Sequence, residues 1–345
     1  MTPSRDGEAT PRARALAAIT EWRMGGVSTL EIPAAIGRAA RNLTPYYTIA
    51  LFVILFAFFS IINGDRFYDR TNITNILGQS AIMGIVAAGL CVPLILNEFD
   101  LSVGWHASLA GVMASNIAVD DGTMIAIIIT LAAGLIIGNV NGFVVSKLKV
   151  PSLIATLGLG AILVGISQKI SLSLVFGLPS SFGWLGQHQV LTVPVAVLFM
   201  LGFAFVLWLL TTQLPLGRWM YAIGGSREAA RLAGLNITAV TWIAFVISGV
   251  AASFGGILLS SRLMGGTPGA ADGFLLDGFT AAALGMVTLR RGEFNIIGTV
   301  IAVVLLMMLL NGMTMAGWAP YYQNMLKGVI LIVAVAATQL EKRTR

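Results

Sequence analysis

The chain has 345 residues, 57% of them hydrophobic and only 10% charged, with a mean hydropathy of +0.87. A water-soluble domain carries roughly a quarter charged residues, so this composition excludes a soluble enzyme or binding module and makes the lipid bilayer the solvent. The net charge of +6 is informative through its distribution along the chain, and no nucleic-acid partner is expected. The single cysteine, Cys91, lies in an apolar run, which rules out intrachain disulfides and cysteine metal sites. Glycine is frequent, as suits helices that pack in lipid through small residues; Gly158, Gly160 and Gly165 form one such set.

In chain order the first element is an N-terminal extension over 1–43, cytoplasmic or interfacial. Its Arg12–Met24 stretch suits either an amphipathic helix on anionic lipid or a disordered basic arm. Its apolar stretches are too short and too interrupted by Arg for a secretory signal. A helix needs about 20 mainly apolar residues to cross the hydrocarbon core. The transmembrane domain, 44–340, then holds about ten spans: 44–63, 76–97, 101–119, 123–145, 150–171, 190–211, 238–260, 276–289, 295–317 and 321–340, the short eighth kept because dropping it would put Arg290 and Arg291 outside; a tail follows at 341–345. The expected class is an all-α polytopic membrane protein. The third span follows the polar run Asn97-Glu98-Phe99-Asp100, and the eighth is short and contains Gly285. Short or interrupted helices line polar pathways in transporters, although a tilted or kinked helix explains the same pattern.

Ten crossings put both termini on one side, and Lys and Arg decide which. The extension carries Arg5, Arg12, Arg14, Arg23, Arg38 and Arg41. The even-numbered connections carry Lys147, Lys149, Arg218, Arg227, Arg231, Arg290 and Arg291, and the tail adds Lys342, Arg343 and Arg345. The opposite side has only Arg66, Arg70 and Arg262. Both termini are therefore expected in the cytoplasm.

The longest polar connection, 213–237, contains Gly225-Ser226-Arg227-Glu228-Ala229-Ala230-Arg231-Leu232, then Gly234. Ser226 can cap a short helix, Glu228 complements its positive end, Arg231 its negative end, and Gly234 can end it in the left-handed conformation. A small, Ala-rich helical face suits a groove on a partner protein, while local physics alone also allows a plain connecting helix. Glu228-Ala229-Ala230 followed by Gly234 resembles the coupling motif of ATP-binding-cassette importer permeases. Gly217-Arg218, Ala222-Ile223-Gly224-Gly225, Phe99-Asp100-Leu101-Ser102-Val103-Gly104, Asn141-Gly142, Lys147-Leu148-Lys149-Val150-Pro151 and Ala155-Thr156-Leu157-Gly158 resemble its ribose/xylose/arabinose-type sugar permeases, with Gln323, Lys327 and Gly328 fitting the last span. The similarity covers about 75–340.

The resemblance implies a pathway between two permease subunits, identical or related, and two cytoplasmic ATPases docked on Gly225, Ser226, Arg227, Glu228, Ala229, Ala230, Arg231, Leu232 and Gly234. It also implies an external sugar-binding protein, a bacterial inner-membrane location, and ATP and Mg held by the ATPases, with no cofactor on this chain. A P-loop needs Gly before its Lys, and the five lysines here follow Ser146, Leu148, Gln168, Leu326 and Glu341, so the chain is not expected to be the ATPase. Two departures stand out: Asn97-Glu98 replaces a Gly-Gly pair, and Met286 with Arg290-Arg291-Gly292-Glu293 replaces a Gly-rich turn.

A neutral sugar needs hydrogen-bonding groups without unpaired charge along its route. Asn97, Asp100, Ser102, Asn141, Thr156 and Asn311 are the candidates for that pathway; Asn and Thr also bridge helices, and Asp100 with Ser102 also suits a helix cap. Lys327 fits a snorkelling side chain or a donor to permeating hydroxyls. An ion-gradient-driven secondary transporter, the alternative function, would need a titratable group in the membrane, for which Asp277 is the candidate. His106 and His188 are too isolated to suggest a metal site.

Overall fold

The computed structural model describes the backbone of 34–288 and 292–343 and the side chains of 49–287 and 292–336. The Arg12–Met24 stretch, Arg290-Arg291 and the last two residues lie outside the described residues. The chain divides into two units, Met1–Thr44 and Pro45–Arg345, and the architecture below is that of the second.

The chain order is α1 (Ala34–Asn63), α2 (Asp65–Tyr68), α3 (Arg70–Ile95), α4 (Val103–Asp120), α5 (Thr123–Ser146), α6 (Ser152–Ile170) and α7 (Ser180–Gln187). A hairpin of β1 (Gln189–Val190) and β2 (Val193–Pro194) follows, then α8 (Val195–Trp208), α9 (Pro215–Gly225), α10 (Arg227–Leu232), α11 (Ile237–Leu263), α12 (Phe274–Thr288), α13 (Ile296–Met315) and α14 (Pro320–Arg343). Helices fall within the predicted spans, the sixth only from Val195. Among the described residues six helices are long and apolar enough to cross a membrane, with Ile49–Asn63 and Phe274–Val287 as shorter apolar helices. The protein is an all-α polytopic membrane protein.

Two boundaries differ from the sequence reading for local reasons. Asp69 caps α3 by accepting from the Thr71 amide at 2.8 Å, which starts the helix at Arg70 and holds the carboxyl below the usual carboxylate range. The predicted sixth span opens instead as the hairpin, with Gln189 opposite Pro194 and Leu191 and Thr192 at positive φ in the turn. At its far end this span loosens into a π-helical turn, Leu209–Gln213, where Thr211 and Thr212 donate to the Leu207 and Trp208 carbonyls at 2.8 and 2.6 Å.

α3 is buried along most of its length and, with α11, forms the centre of the bundle; Met83, Leu90, Val103, Ala252, Ala282 and Leu306 mark the principal core. Ile128, Ile136, Ile154 and Ile162 on α5 and α6 remain exposed, as lipid-facing positions should. Lipid tails give apolar helices no reason to associate, so close approach and dispersion hold the bundle. A Cβ at Gly249 of α11 would stand 2.6 Å from the Gly134 carbonyl oxygen and 2.8 Å from the Gly138 Cα of α5, and one at Gly89 of α3 would lie 2.1 Å from the Ala251 Cβ. In the set expected on α6, only Gly160 makes such a contact, against Trp105; Gly158 and Gly165 face open space.

Gly249→Leu should therefore lower the thermal midpoint of the detergent-purified protein, by an overpacking cost of at least ~1–3 kcal/mol. Gly165→Ala should leave it within about 0.5 kcal/mol. Equal effects in a fluorescence melt would contradict the glycine-mediated α5–α11 contact.

Candidate functional site

The site is built around the break between α3 and α4. Pro93 sits in the last turn of α3, whose end tightens as the Leu96 and Glu98 amides both donate to its carbonyl at 3.0 Å. Asn97 then takes the left-handed conformation, φ 57°, which a short amide side chain tolerates better than most. Its side chain donates to the Gly224 carbonyl at the end of α9, 2.5 Å away. Gly224 is required there, since a Cβ would lie 2.0 Å from the Ile95 carbonyl oxygen. Glu98 is paired with Arg227 of α10 at 2.7 Å, the carboxylate side chain 8% exposed and the guanidinium 53%. Both residues that replace the Gly-Gly pair thus hold the 213–237 connection.

Beyond Glu98 the irregular backbone is satisfied by side chains of α6: the Phe99 amide donates to Ser152 Oγ at 3.1 Å and the Leu101 amide to Thr156 Oγ1 at 3.0 Å. Asp100 is buried and accepts from the Ser102 amide (3.0 Å), the Ser102 hydroxyl (2.5 Å) and the Ser248 hydroxyl of α11 (2.7 Å), while Asn141 of α5 donates to Ser102 Oγ at 3.0 Å. Asp100, Ser102, Asn141 and Thr156 therefore converge in one buried network that joins α4, α5, α6 and α11. His106, one turn on, pairs with Ser253 of α11 at 3.0 Å.

The 213–237 connection folds as two short helices. α9 starts with Pro215 in its first turn and buries Gly217, Met220 and Ile223. Ser226 caps α10, accepting from the Ala229 amide at 3.3 Å; Arg231 pairs with Glu228 at 2.6 Å; and Gly234, φ 78°, follows the helix end. Ala230 is buried, whereas Arg227, Glu228, Ala229, Arg231 and Leu232 are exposed, Leu232 at 80%. Asn236 then caps α11 through the Ala239 amide at 3.0 Å.

Two cavities flank α12 and α14. The larger, about 660 Å³, is lined by Asn97, Phe99, Tyr221, Gly224, Phe279, Ala283, Met286, Glu293, Phe294, Leu331 and Val335, among others. The smaller, about 400 Å³, has the polar lining Gln79, Arg262, Asp277, Asn311, Thr314 and Gln323. Asn311 exchanges amide hydrogen bonds with Asn72 at 3.0 Å. Of the pathway candidates, Asn97 lines the larger cavity and Asn311 the smaller; Asp100, Ser102, Asn141 and Thr156 line neither. Lys327 does not snorkel: its Nζ lies 2.6 Å from Asp277 Oδ1, and each side chain is 11% exposed. The Glu98–Arg227 and Asp277–Lys327 pairs were not visible as pairs in the sequence, though the cost of charge in a bilayer signals that each such residue needs a partner.

Arg227→Ala strands a buried carboxylate, which should cost ~1–3 kcal/mol. Glu98→Ala leaves only a half-exposed guanidinium, at a cost below ~1 kcal/mol. Thermal melts of the two variants should rank in that order; the reverse would mean that Glu98 is stabilised by something other than Arg227.

The family model described as the permease component of the branched-chain amino acid transport system matches residues 72–335. The ribose import permease protein RbsC of Escherichia coli K12 is 34% identical over 298 residues, covering 83% of this chain and 91% of that protein. The D-allose transport system permease protein AlsC of the same organism is 31% identical over 298 residues (86% and 91%), and its xylose transport system permease protein XylH 30% over 374 residues (89% and 94%). No solved structure matches significantly. With a family match across most of its length and relatives this similar end to end, the chain belongs to the permease components of bacterial ATP-binding-cassette importers.

Proposed function

We propose that the chain is the transmembrane subunit through which an importer carries a sugar or sugar-like solute, a pentose, hexose or polyol, across the cytoplasmic membrane. Partner ATPases drive the movement, holding the ATP and Mg, and α10 is the element that docks on them. An extracytoplasmic binding protein delivers the solute, and a second permease subunit, identical or related, completes the pathway. The observation that carries this reading is the exposed, capped α10, tied by Glu98–Arg227 and Asn97–Gly224 to the break that opens α4.

Contacts between connections sort onto two ends of the bundle and support ten crossings. At the α9 end, Phe99 meets Ser152, Asn97 meets Gly224, and the Tyr221 hydroxyl donates to the Phe294 carbonyl at 2.8 Å. At the α7 end, Thr123 meets Ser181, Gln187 meets Arg262, and Val175 bridges Gly266. α12 leaves one end after Asp272 and delivers Phe294 to the other, as a span must. Lys147, Lys149, Arg218, Arg227 and Arg231 belong to the α9 end, which is therefore cytoplasmic, with both termini. The secondary-transporter reading loses support, because its candidate Asp277 is tied up by Lys327.

The test is mass spectrometry of what co-purifies with the chain from its native membrane in mild detergent. A stoichiometric P-loop ATPase is expected, and Arg231→Glu should release it without affecting insertion, since the exposed Glu228–Arg231 pair contributes little to stability. Ion-driven uptake into vesicles by the chain alone would overturn the importer reading. Undiminished ATPase association in Arg231→Glu would remove α10 as the docking element.

A further inference from the structure

We infer that the smaller cavity is the outer station for a neutral polyhydroxylated solute and that Asp277 and Lys327 form its floor, the point where the pathway is closed in this structure. The inference rests on the import reading and deepens it.

The two helices that meet at the pair each border both cavities. On α12, Phe274 and Asp277 line the smaller cavity, while Phe279, Ala283 and Met286 line the larger. On α14, Gln323 lines the smaller and Leu331 the larger, with Lys327 one helical turn, about 6 Å, from each. The ion pair, at 2.6 Å, therefore joins α12 to α14 at the level that separates the two spaces. Phe279, packed on Phe99 with ring centroids 6.0 Å apart, lies just below it.

Charge so placed needs a reason beyond stability, because a buried ion pair is often no better than an apolar pair of the same volume. Inside a bilayer it also marks a route for polar solutes. Polar side chains from five helices converge on the smaller cavity: Gln79, Arg262, Asp277, Asn311 and Gln323 from α3, α11, α12, α13 and α14. At about 400 Å³ it has room for a pentose or hexose with some of its water. Hydroxyls donate and accept, so one solute can donate to the Asp277 carboxylate and accept from the Lys327 ammonium as the two part. An apolar solute offers the separating charges no hydrogen bond, so the floor opens more readily under a polyol than under an apolar solute.

The experiment uses the assembled importer in liposomes preloaded with radiolabelled ribose. Without ATP the wild-type complex should retain the sugar. Lys327→Met should release it at least tenfold faster, as should the double variant Asp277→Asn with Lys327→Met, which strands no charge and guards against misfolding. Exchanging the charges, Asp277→Lys with Lys327→Asp, should restore retention. Wild-type retention by the double variant, with monodisperse protein, overturns the floor assignment whether or not uptake occurs. A wild type that fails ATP-driven uptake of ribose, xylose and allose, yet leaks on substitution as described, overturns the sugar-import reading alone and leaves the floor standing.

Discussion

The fold depends on one constraint: backbone amides that leave a helix inside a membrane protein must find partners within the protein. The break after α3 imposes it at a single place. Its exposed amides are taken by Ser152 and Thr156 of α6, and its aspartate collects hydroxyls from α4 and α11, with Asn141 of α5 closing the set. Four helices are thereby placed in register by one interruption. A buried polar network of this kind orients its members, each hydrogen bond fixing the next side chain. Four candidate pathway residues are thus occupied in holding helices together, while the open space lies beside α12 and α14.

Elsewhere the bundle is held by small residues, and among the described residues each buried carboxylate has a partner opposite: Arg227 for Glu98, serine hydroxyls for Asp100 and Lys327 for Asp277. Lys169, in the last turn of α6, is exposed at the end of its helix, whereas Lys327 turns inward to Asp277. Both have the same apolar stem and ammonium head. The difference is a carboxylate on a neighbouring helix, which compensates desolvation that water would otherwise have to relieve. Arg262 follows the same rule in weaker form, donating to Asn75 near the α7 end at 3.2 Å.

What could be read from the sequence was what is local. The long apolar runs became helices, six of them among the described residues long enough to span, because length and hydropathy need no neighbours. The α10 segment was legible residue by residue, since a cap, a dipole complement and a left-handed glycine are all settled within nine positions. The hairpin at Gln189–Pro194 was hidden because Val190, Leu191 and Val193 continue an apolar run. The pairings were hidden for a different reason. Whether Asn141 is a strut or a lining residue, and whether Lys327 snorkels, depends on which helix stands beside it, and the chain does not state that order. The two substitutions at Asn97 and Glu98 were visible as departures, yet their meaning required Gly224 and Arg227 to be brought alongside.

Under the proposed reading, those departures lie on the line of contacts between α10 and the proposed pathway floor. Three consecutive residues touch three different elements: Asn97 the end of α9, Glu98 the start of α10, and Phe99 the ring of Phe279 on α12. The left-handed Asn97 and the half-exposed Glu98–Arg227 pair tie this segment to both short helices of the connection. A line of contacts becomes coupling only when it ends on an element with two discrete arrangements. An ion pair between two helices is such an element, joined or parted, and Asp277 lies on α12 about half a turn from the ring that Phe99 presses. Glycines in place of Asn97 and Glu98 would leave only backbone contact there, so the link to α9 and α10 depends on these two side chains.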